Sequence, residues 1–120
     1  MENNQAQIID ITNSMFYNWG DNCSGWHFVD TEELSIIRES MPAGTSEKLH
    51  FHAKALQFFY ILSGIASFSV EGKSYEVVAG KGIRIEPKQI HQIINNSNNI
   101  LEFIVVSSPK SHGDRINIEK

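Results

Sequence analysis

Short stretches of alternating apolar and polar residues, separated by turn residues, are the feature that most constrains the fold of this chain. The clearest stretch is 66–70, which is followed by the turn Glu71-Gly72-Lys73 and by a returning stretch over 75–78. A period of two residues predicts a strand with one buried face, and a short turn containing glycine is typical of a β-hairpin. Similar stretches recur along the chain without a convincing amphipathic helix, so the sequence predicts an all-β sandwich or barrel.

The size and charge of the chain narrow its class. Its 120 residues are the length of one domain, and a hydrophobic fraction of 41% is enough for one packed core. The net charge is −4 and basic residues form no run, which disfavours nucleic acid as a partner. We also expect no membrane contact and a cytoplasmic location, because there is no long apolar run and no secretion signal. Cys23 is the single cysteine and is expected to be a partly buried, unreactive thiol.

Two histidines on one predicted strand are the strongest functional signal. His50 and His52 are separated by one residue, so both imidazoles project from the same face of the strand while Phe51 points away. A third histidine, His91, begins a later predicted strand after Pro87, which cannot donate to a sheet ladder. Imidazoles that converge inside a barrel invite a transition metal ion.

Gln57 lies five residues beyond His52 and would face the opposite side of a straight strand. A bend in the segment 53–55 is therefore required if Gln57 is to share the interior with the histidines. Apolar residues near this interior are candidates to line a pocket for a ligand, although packing of the core predicts the same residues. They are Phe59, Ile61, Ile85, Ile93 and Phe103.

The spacing of these residues resembles that of the cupins. The first cupin motif is Gly, five residues, His-x-His, three or four residues, Glu, six residues and Gly. It is matched by Gly44, His50, His52 and Gly64, with Gln57 where the Glu belongs. The second motif is a strand started by Gly, a turn with Pro, then His and, four positions on, Asn; it is matched by Gly80, Pro87, His91 and Asn95. The resemblance covers residues 34–106 and implies a double-stranded β-helix (jelly-roll) barrel.

We expect the single domain to have three parts. These are an N-terminal arm with strands packed on the barrel (1–33), the cupin barrel itself (34–106) and a polar C-terminal tail (107–120). The resemblance also implies a homodimer, which would remove exposed edge strands.

In metal-binding cupins, three His and the Glu hold one divalent ion. The resemblance assigns these roles to His50, His52, His91 and Gln57. Glutamine offers a neutral carbonyl oxygen, so a bound ion would keep its whole +2 charge. The affinity of the site for the ion should therefore be lower than with Glu. The uncompensated charge would favour an anionic or enolate-forming ligand at the open position of the ion. We expect one divalent transition metal ion, of the group Zn, Ni, Fe, Cu or Mn.

Three functions remain open at this stage, all of them with a small-molecule ligand. The first is a metal-dependent enzyme with dioxygenase or isomerase-like chemistry. The second is an isomerase, epimerase or cyclase without metal, in which the histidines move protons. The third is a non-catalytic module that binds a small ligand. His27 and His112 lie outside both motifs and are expected to be solvated.

Overall fold

The computed structural model describes residues 5–118, which form twelve β-strands and no helix. Residues 1–4 of the predicted arm and residues 119–120 of the predicted tail lie outside the described residues. Within 5–118, nothing resembles a helix that could cross a membrane. The strands are β1 (Met15–Trp19), β2 (Cys23–Asp30), β3 (Ser35–Met41), β4 (Thr45–Ser46), β5 (His50–His52), β6 (Leu56–Ser63), β7 (Ile65–Val70), β8 (Lys73–Val78), β9 (Gly82–Ile85), β10 (His91–Asn95), β11 (Leu101–Ser108) and β12 (Arg115–Asn117).

Two antiparallel sheets face each other and enclose the interior. The first sheet has the strand order β1-β2-β3-β11-β6-β9. The second has the order β12-β5-β10-β7-β8, and β4 also pairs with β10. This architecture confirms the predicted all-β, double-stranded β-helix fold.

The chain changes sheets between the histidines and Gln57. Strand β5 ends at His52 in the second sheet, and β6 begins at Leu56 in the first. The bend required by the parity of these residues is therefore a crossing between sheets, and it lies in the segment 53–55. As a result, Gln57 approaches the histidines from the facing wall.

The apolar core fills one part of the space between the sheets. Strand β11 shows the alternation, since Leu101, Phe103 and Val105 are buried while Glu102 is half-exposed, as its pattern predicts. The ring of Phe59 packs on Phe103 with centroids 5.7 Å apart. The remaining interior holds polar side chains, and this division between apolar core and polar interior places the candidate site.

The segments on either side of 34–106 also form strands. Strands β1 and β2 extend the edge of the first sheet, and β12 pairs with β5 at the edge of the second. The carboxylate of Asp114 accepts hydrogen bonds from the backbone N–H groups of Lys54 and Ala55, at 3.0 and 2.9 Å, and so holds the last segment against the crossing. The division into arm, barrel and tail stays a prediction.

Cys23 is wholly buried, more completely than expected. Its Sγ lies 3.7 Å from Oγ1 of Thr45, and burial raises the pKa of the thiol. A buried thiol with a raised pKa is a packing residue, in agreement with the prediction that it is unreactive.

Candidate functional site

The three motif histidines meet in the interior. His50 and His91 lie directly opposite each other on the adjacent strands β5 and β10, with ring centroids 4.3 Å apart. His52 follows on the same face of β5, and its ring centroid lies 5.0 Å from that of His50. One nitrogen from each of the three buried rings lies within 4.8 Å of the others. This is the grouping that the sequence predicted.

Backbone carbonyls orient two of the three rings. Nδ1 of His50 lies 2.8 Å from the carbonyl oxygen of Lys48, and Nδ1 of His91 lies 2.8 Å from that of Gln89. A carbonyl can only accept, so each Nδ1 carries the proton and each Nε2 is left with its lone pair. A carbonyl that fixes the tautomer in this way is the usual outer partner of a histidine that ligates a metal.

The imidazoles are neutral in this environment. Burial, followed by the nearby His91 ring, lowers the pKa of His50 to about 3 and that of His52 to about 4. Burial also lowers the pKa of His91. Since a metal binds the neutral form of imidazole, the three rings are in the ligating form at neutral pH.

Gln57 completes the group from the facing sheet. Its Oε1 lies 3.2 Å from Nε2 of His91, and its Nε2 donates to Oγ of Ser107 at 3.0 Å. Ser107 was missed in the sequence, although it continues the inward face of β11 beyond Val105, and a polar residue at an inward position is a detectable signal.

The hydrogen-bonding pattern of these residues fits a cation. Because the proton of His91 is on Nδ1, its Nε2 and the carbonyl oxygen of Gln57 face each other as two acceptors. In addition, Nδ1 of His52 is buried without a hydrogen-bond partner among the described residues. A positive ion would satisfy the two facing lone pairs, and it would also satisfy Nδ1 of His52 in the tautomer that has its proton on Nε2. The donor set of three imidazoles and one amide oxygen therefore fits a divalent transition metal.

A cavity of about 230 Å³ opens beside this group. His50, His52, Gln57 and Phe59 line it, and His91 lies next to it through its contact with Gln57. Ile61, Ile85, Ile93 and Phe103, the other predicted pocket residues, are at most 1% exposed in the apolar core and are not part of the cavity lining. The cavity wall includes further residues that the sequence did not indicate, among them Tyr17, Glu39, Glu47, Ser111, His112 and Arg115.

Three charged residues of this wall interact with one another. Nη1 of Arg115 lies 3.5 Å from Oε2 of Glu47. Burial raises the pKa of Glu47 to about 8, against the opposing effect of Arg115. Burial likewise raises the pKa of Glu39 to about 7, against the opposing hydrogen bond from Tyr17. Glu39 lies two residues after Ile37 on β3 and so shares its inward face, which the sequence could have shown. The short β12 that carries Arg115 has no alternation of its own.

His27 and His112 do not behave as simple solvated histidines. His112 is exposed but lines the cavity, and its ring centroid lies 5.3 Å from that of His27. Nδ1 of His27 is buried, and its ring packs on Tyr17 with centroids 4.8 Å apart. These ring contacts join the first hairpin to the last segment at the side of the cavity.

Comparison with known proteins agrees with the fold. Residues 37–107 match the family model described as Cupin domain. The chain is 33% identical over 81 residues to an uncharacterized protein of Methanocaldococcus jannaschii, covering 67% of this chain and 65% of that one. It is 35% identical over 71 residues to a Thermotoga maritima protein named oxalate-binding protein, covering 59% of each. The chain therefore spans less than two thirds of the length of either relative.

A solved structure shows the same fold. The polyketide cyclase RemF of Streptomyces resistomycificus superposes with a TM-score of 0.81 at 16% sequence identity, covering 97% of this chain and 87% of that one. At this level of identity the likeness concerns the fold.

Proposed function

Because the chain belongs to the cupin family, we propose that it is a metal-dependent enzyme that binds one divalent transition metal ion and acts on a small carboxylate in the cavity. The ligands are His50, His52 and His91, with Gln57 as a weaker fourth. The observation that carries this proposal is the convergence of three buried imidazole nitrogens within 4.8 Å, at the side of a cavity.

The charge of the site supports an anionic ligand. All four ligands are neutral, so a bound ion would keep its +2 charge. The Arg115 guanidinium adds a positive charge to the wall, opposed by Glu39 and Glu47 only to the extent that these carboxyl groups are ionised, and their raised pKa values limit that near neutrality. The cavity of about 230 Å³ lies below the roughly 300–1,000 Å³ of pockets that take drug-sized molecules. The relative named oxalate-binding protein points to the same ligand class, a small carboxylate.

The residues around the ion have distinct roles in this proposal. When bound by these residues, a divalent ion would supply Lewis-acid chemistry toward an oxygen of the ligand. The carbonyls of Lys48 and Gln89 hold two imidazoles in the ligating tautomer, and Ser107 holds the amide of Gln57. The apolar side chains of Ile37, Phe59 and Val105 exclude water from one side of the cavity.

Elemental analysis of protein purified without a metal-affinity tag tests this function. We expect close to one divalent transition metal ion per chain in the parent and little in His91→Ala. His112→Ala is the matched control, since it removes a cavity imidazole outside the triad and should keep the metal. Absence of metal from the parent, even after incubation with divalent ions, would contradict the proposal.

A second candidate is a metal-free isomerase, epimerase or cyclase. It is favoured by one feature of the site, the two possible orientations of the Gln57 amide. With the amide turned round, its NH₂ donates to Nε2 of His91 and its oxygen accepts from the hydroxyl of Ser107. Two acceptors then no longer face each other, and no ion is needed between them. This candidate requires protein without metal and turnover governed by an imidazole. A third candidate, a non-catalytic module, would bind its ligand tightly and release it unchanged.

We also propose that the chain forms a homodimer through the outer face of the first sheet. Strand β6 exposes Phe58, Tyr60 and Leu62 there, each about two fifths exposed. Ile104 and Val106 of β11 lie beside them in register. A continuous apolar sheet face of this kind is typical of a surface that a second copy covers.

A further inference from the structure

Tyr17 and Glu39 form a pair on the wall of the cavity that faces the histidines. Oη of Tyr17 donates a hydrogen bond of 2.6 Å to Oε2 of Glu39. Both residues line the cavity and belong to the first sheet, whereas His50 and His52 line it from the second. The pair has no part in holding the proposed ion.

The phenol reaches Glu39 by crossing an intervening strand. Tyr17 on β1 lies opposite Gly25 on β2, and Gly25 lies opposite Glu39 on β3. A Cβ atom at position 25 would lie 2.4 Å from Cζ of Tyr17 and 2.6 Å from its Oη. The backbone at Gly25 is that of an ordinary strand, so the glycine is required by the close approach of the ring and not by its conformation.

The carboxyl group of Glu39 has capacity for a further hydrogen bond. Within residues 5–118 its side chain is hydrogen-bonded to Tyr17 alone. Burial raises the pKa of Glu39 to about 7, so near neutrality the group carries its proton for part of the time and can donate. Besides Tyr17 and Glu39 themselves, five titratable or charged groups interact with the pair: Cys23 and His27 of β2, Glu47 between β4 and β5, His112, and Arg115 of β12.

We propose that Tyr17 and Glu39 form a second ligand-binding element, which hydrogen-bonds an oxygen function at one end of a small carboxylate while its other end lies at the three imidazoles. Gly25 is the positioning residue of this element. The placement of the other end rests on the proposed function. The ligand class is thereby narrowed to short molecules with oxygen at both ends, such as dicarboxylates and hydroxy acids.

Succinate and butyrate are the probes that test this element, because they differ only in the carboxylate at one end. Calorimetric titration at pH 6 of the zinc-loaded protein should show at least tenfold tighter binding of succinate. Glu39→Leu and Tyr17→Phe should each reduce this preference severalfold by weakening the binding of succinate. Gly25→Ala should resemble Tyr17→Phe, and Tyr75→Phe, on an exposed strand of the other sheet, is the matched control.

A pH series separates ligand binding from a structural role. Between pH 6 and pH 8 the preference for succinate should weaken in the parent, because ionised Glu39 cannot donate and repels the second carboxylate. Glu39→Gln should retain the preference and lose this pH dependence. A pH dependence that persists in Glu39→Gln would arise from another group and would overturn the role of Glu39.

The design distinguishes this inference from the proposed function. Zinc content is measured in every variant and should stay unchanged, and the titrations are repeated on zinc-free protein. Loss of zinc binding in the parent would contradict the proposed function, while a succinate preference that disappears in Glu39→Leu would still support the second element. Any of three results would overturn the second element. They are equal binding of the two acids by the parent, binding of neither acid, and a preference for succinate that is unaffected by Glu39→Leu and Tyr17→Phe.

Discussion

Nε2 of Gln57 donates a 3.0 Å hydrogen bond to Oγ of Ser107, which lies directly opposite it on the paired strand β11. In this orientation of the amide, the carbonyl oxygen points to His91, with Oε1 3.2 Å from Nε2 of His91. In the proposed metal site, position 57 would supply an oxygen ligand even though its side chain carries no charge. The residues at these four positions of the cupin motif come together in the interior, and they differ from the motif in total charge because Gln57 stands where the motif has Glu.

Gln57→Glu should raise the affinity for a divalent transition metal by about tenfold, which corresponds to about 1.4 kcal/mol. A carboxylate at this position adds a negative charge beside the ion and keeps the oxygen that Gln57 already presents. Competition titration with a chelator measures the change. Gln92→Glu is the control, because the Gln92 side chain bonds the carbonyl of Glu47 and does not line the cavity. An unchanged affinity in Gln57→Glu would show that position 57 does not face the ion.

Ionisation of Glu39 should destabilise the metal-free protein. Its pKa is raised from 4.5 to about 7 by burial, so the folded state holds the proton more tightly than the unfolded state. Its stabilising effect is fully present below about pH 4.5 and is lost as the pH rises through 7. Relative to Glu39→Gln, the free energy of unfolding of the parent should fall by about 1–3 kcal/mol across this range, at about 1.4 kcal/mol per pKa unit.

Urea unfolding of both proteins at a series of pH values measures this difference. Glu102→Gln, which removes a half-exposed carboxylate paired with Arg38 on the outer face, is the control. A parent whose stability runs parallel to that of Glu39→Gln from pH 4.5 to 8 would contradict the expectation.

Asp114→Ala should loosen the last segment of the cavity wall. The carboxylate of Asp114 accepts two backbone hydrogen bonds from the crossing at Lys54 and Ala55, much as a capping residue does at a helix end. Loss of such a cap costs about 1 kcal/mol. Hydrogen exchange should accelerate at these two amides, and Asp114→Asn, which keeps one acceptor oxygen, should restore part of the protection. Exchange rates unchanged in Asp114→Ala would mean that the segment is held by the pairing of β12 with β5 alone.

Tyr60→Glu should convert the proposed dimer to a monomer. The side chain of Tyr60 lies in the middle of the outer face of the first sheet, opposite Ile104, and a charge there would have to be buried without a partner. Light scattering coupled to gel filtration gives the molar mass. Tyr75→Glu, with a similarly exposed tyrosine on β8, should leave the mass unchanged. A dimer that persists in Tyr60→Glu, or a monomeric parent, would refute this interface.

The histidine group was predictable because its positions follow from residue spacing within strands and within the two motifs. A spacing of two puts His50 and His52 on one face of a strand, and the motif spacing placed His91 and Gln57 beside them. Alternation also showed which residues of β11 face inward. Alternation does not show whether an inward residue packs in the core or lines the cavity. Ile61 and Val105 both point inward, yet Ile61 packs in the core and Val105 lines the cavity.

The residues of the cavity wall opposite the histidines were not predicted, because contacts between segments distant in the chain bring them together. Arg115 comes from a three-residue strand in a polar stretch, where there is too little pattern to assign a face. The link between Tyr17 and Glu39 exists only because three strands align in register with glycine in the middle. Sequence spacing within one strand carries no information about that alignment.

The pairing of β12 with β5 has a consequence for the order in which the protein is made. The residues that finish the cavity wall leave the ribosome about sixty residues after His50 and His52, as the bond between Lys54 and Asp114 spans that distance in the chain. During synthesis the imidazoles of His50 and His52 emerge well before their enclosure exists, so the pocket cannot be finished until residues 111–115 have been made. A ligand or metal ion that needs the closed wall can bind only after that point.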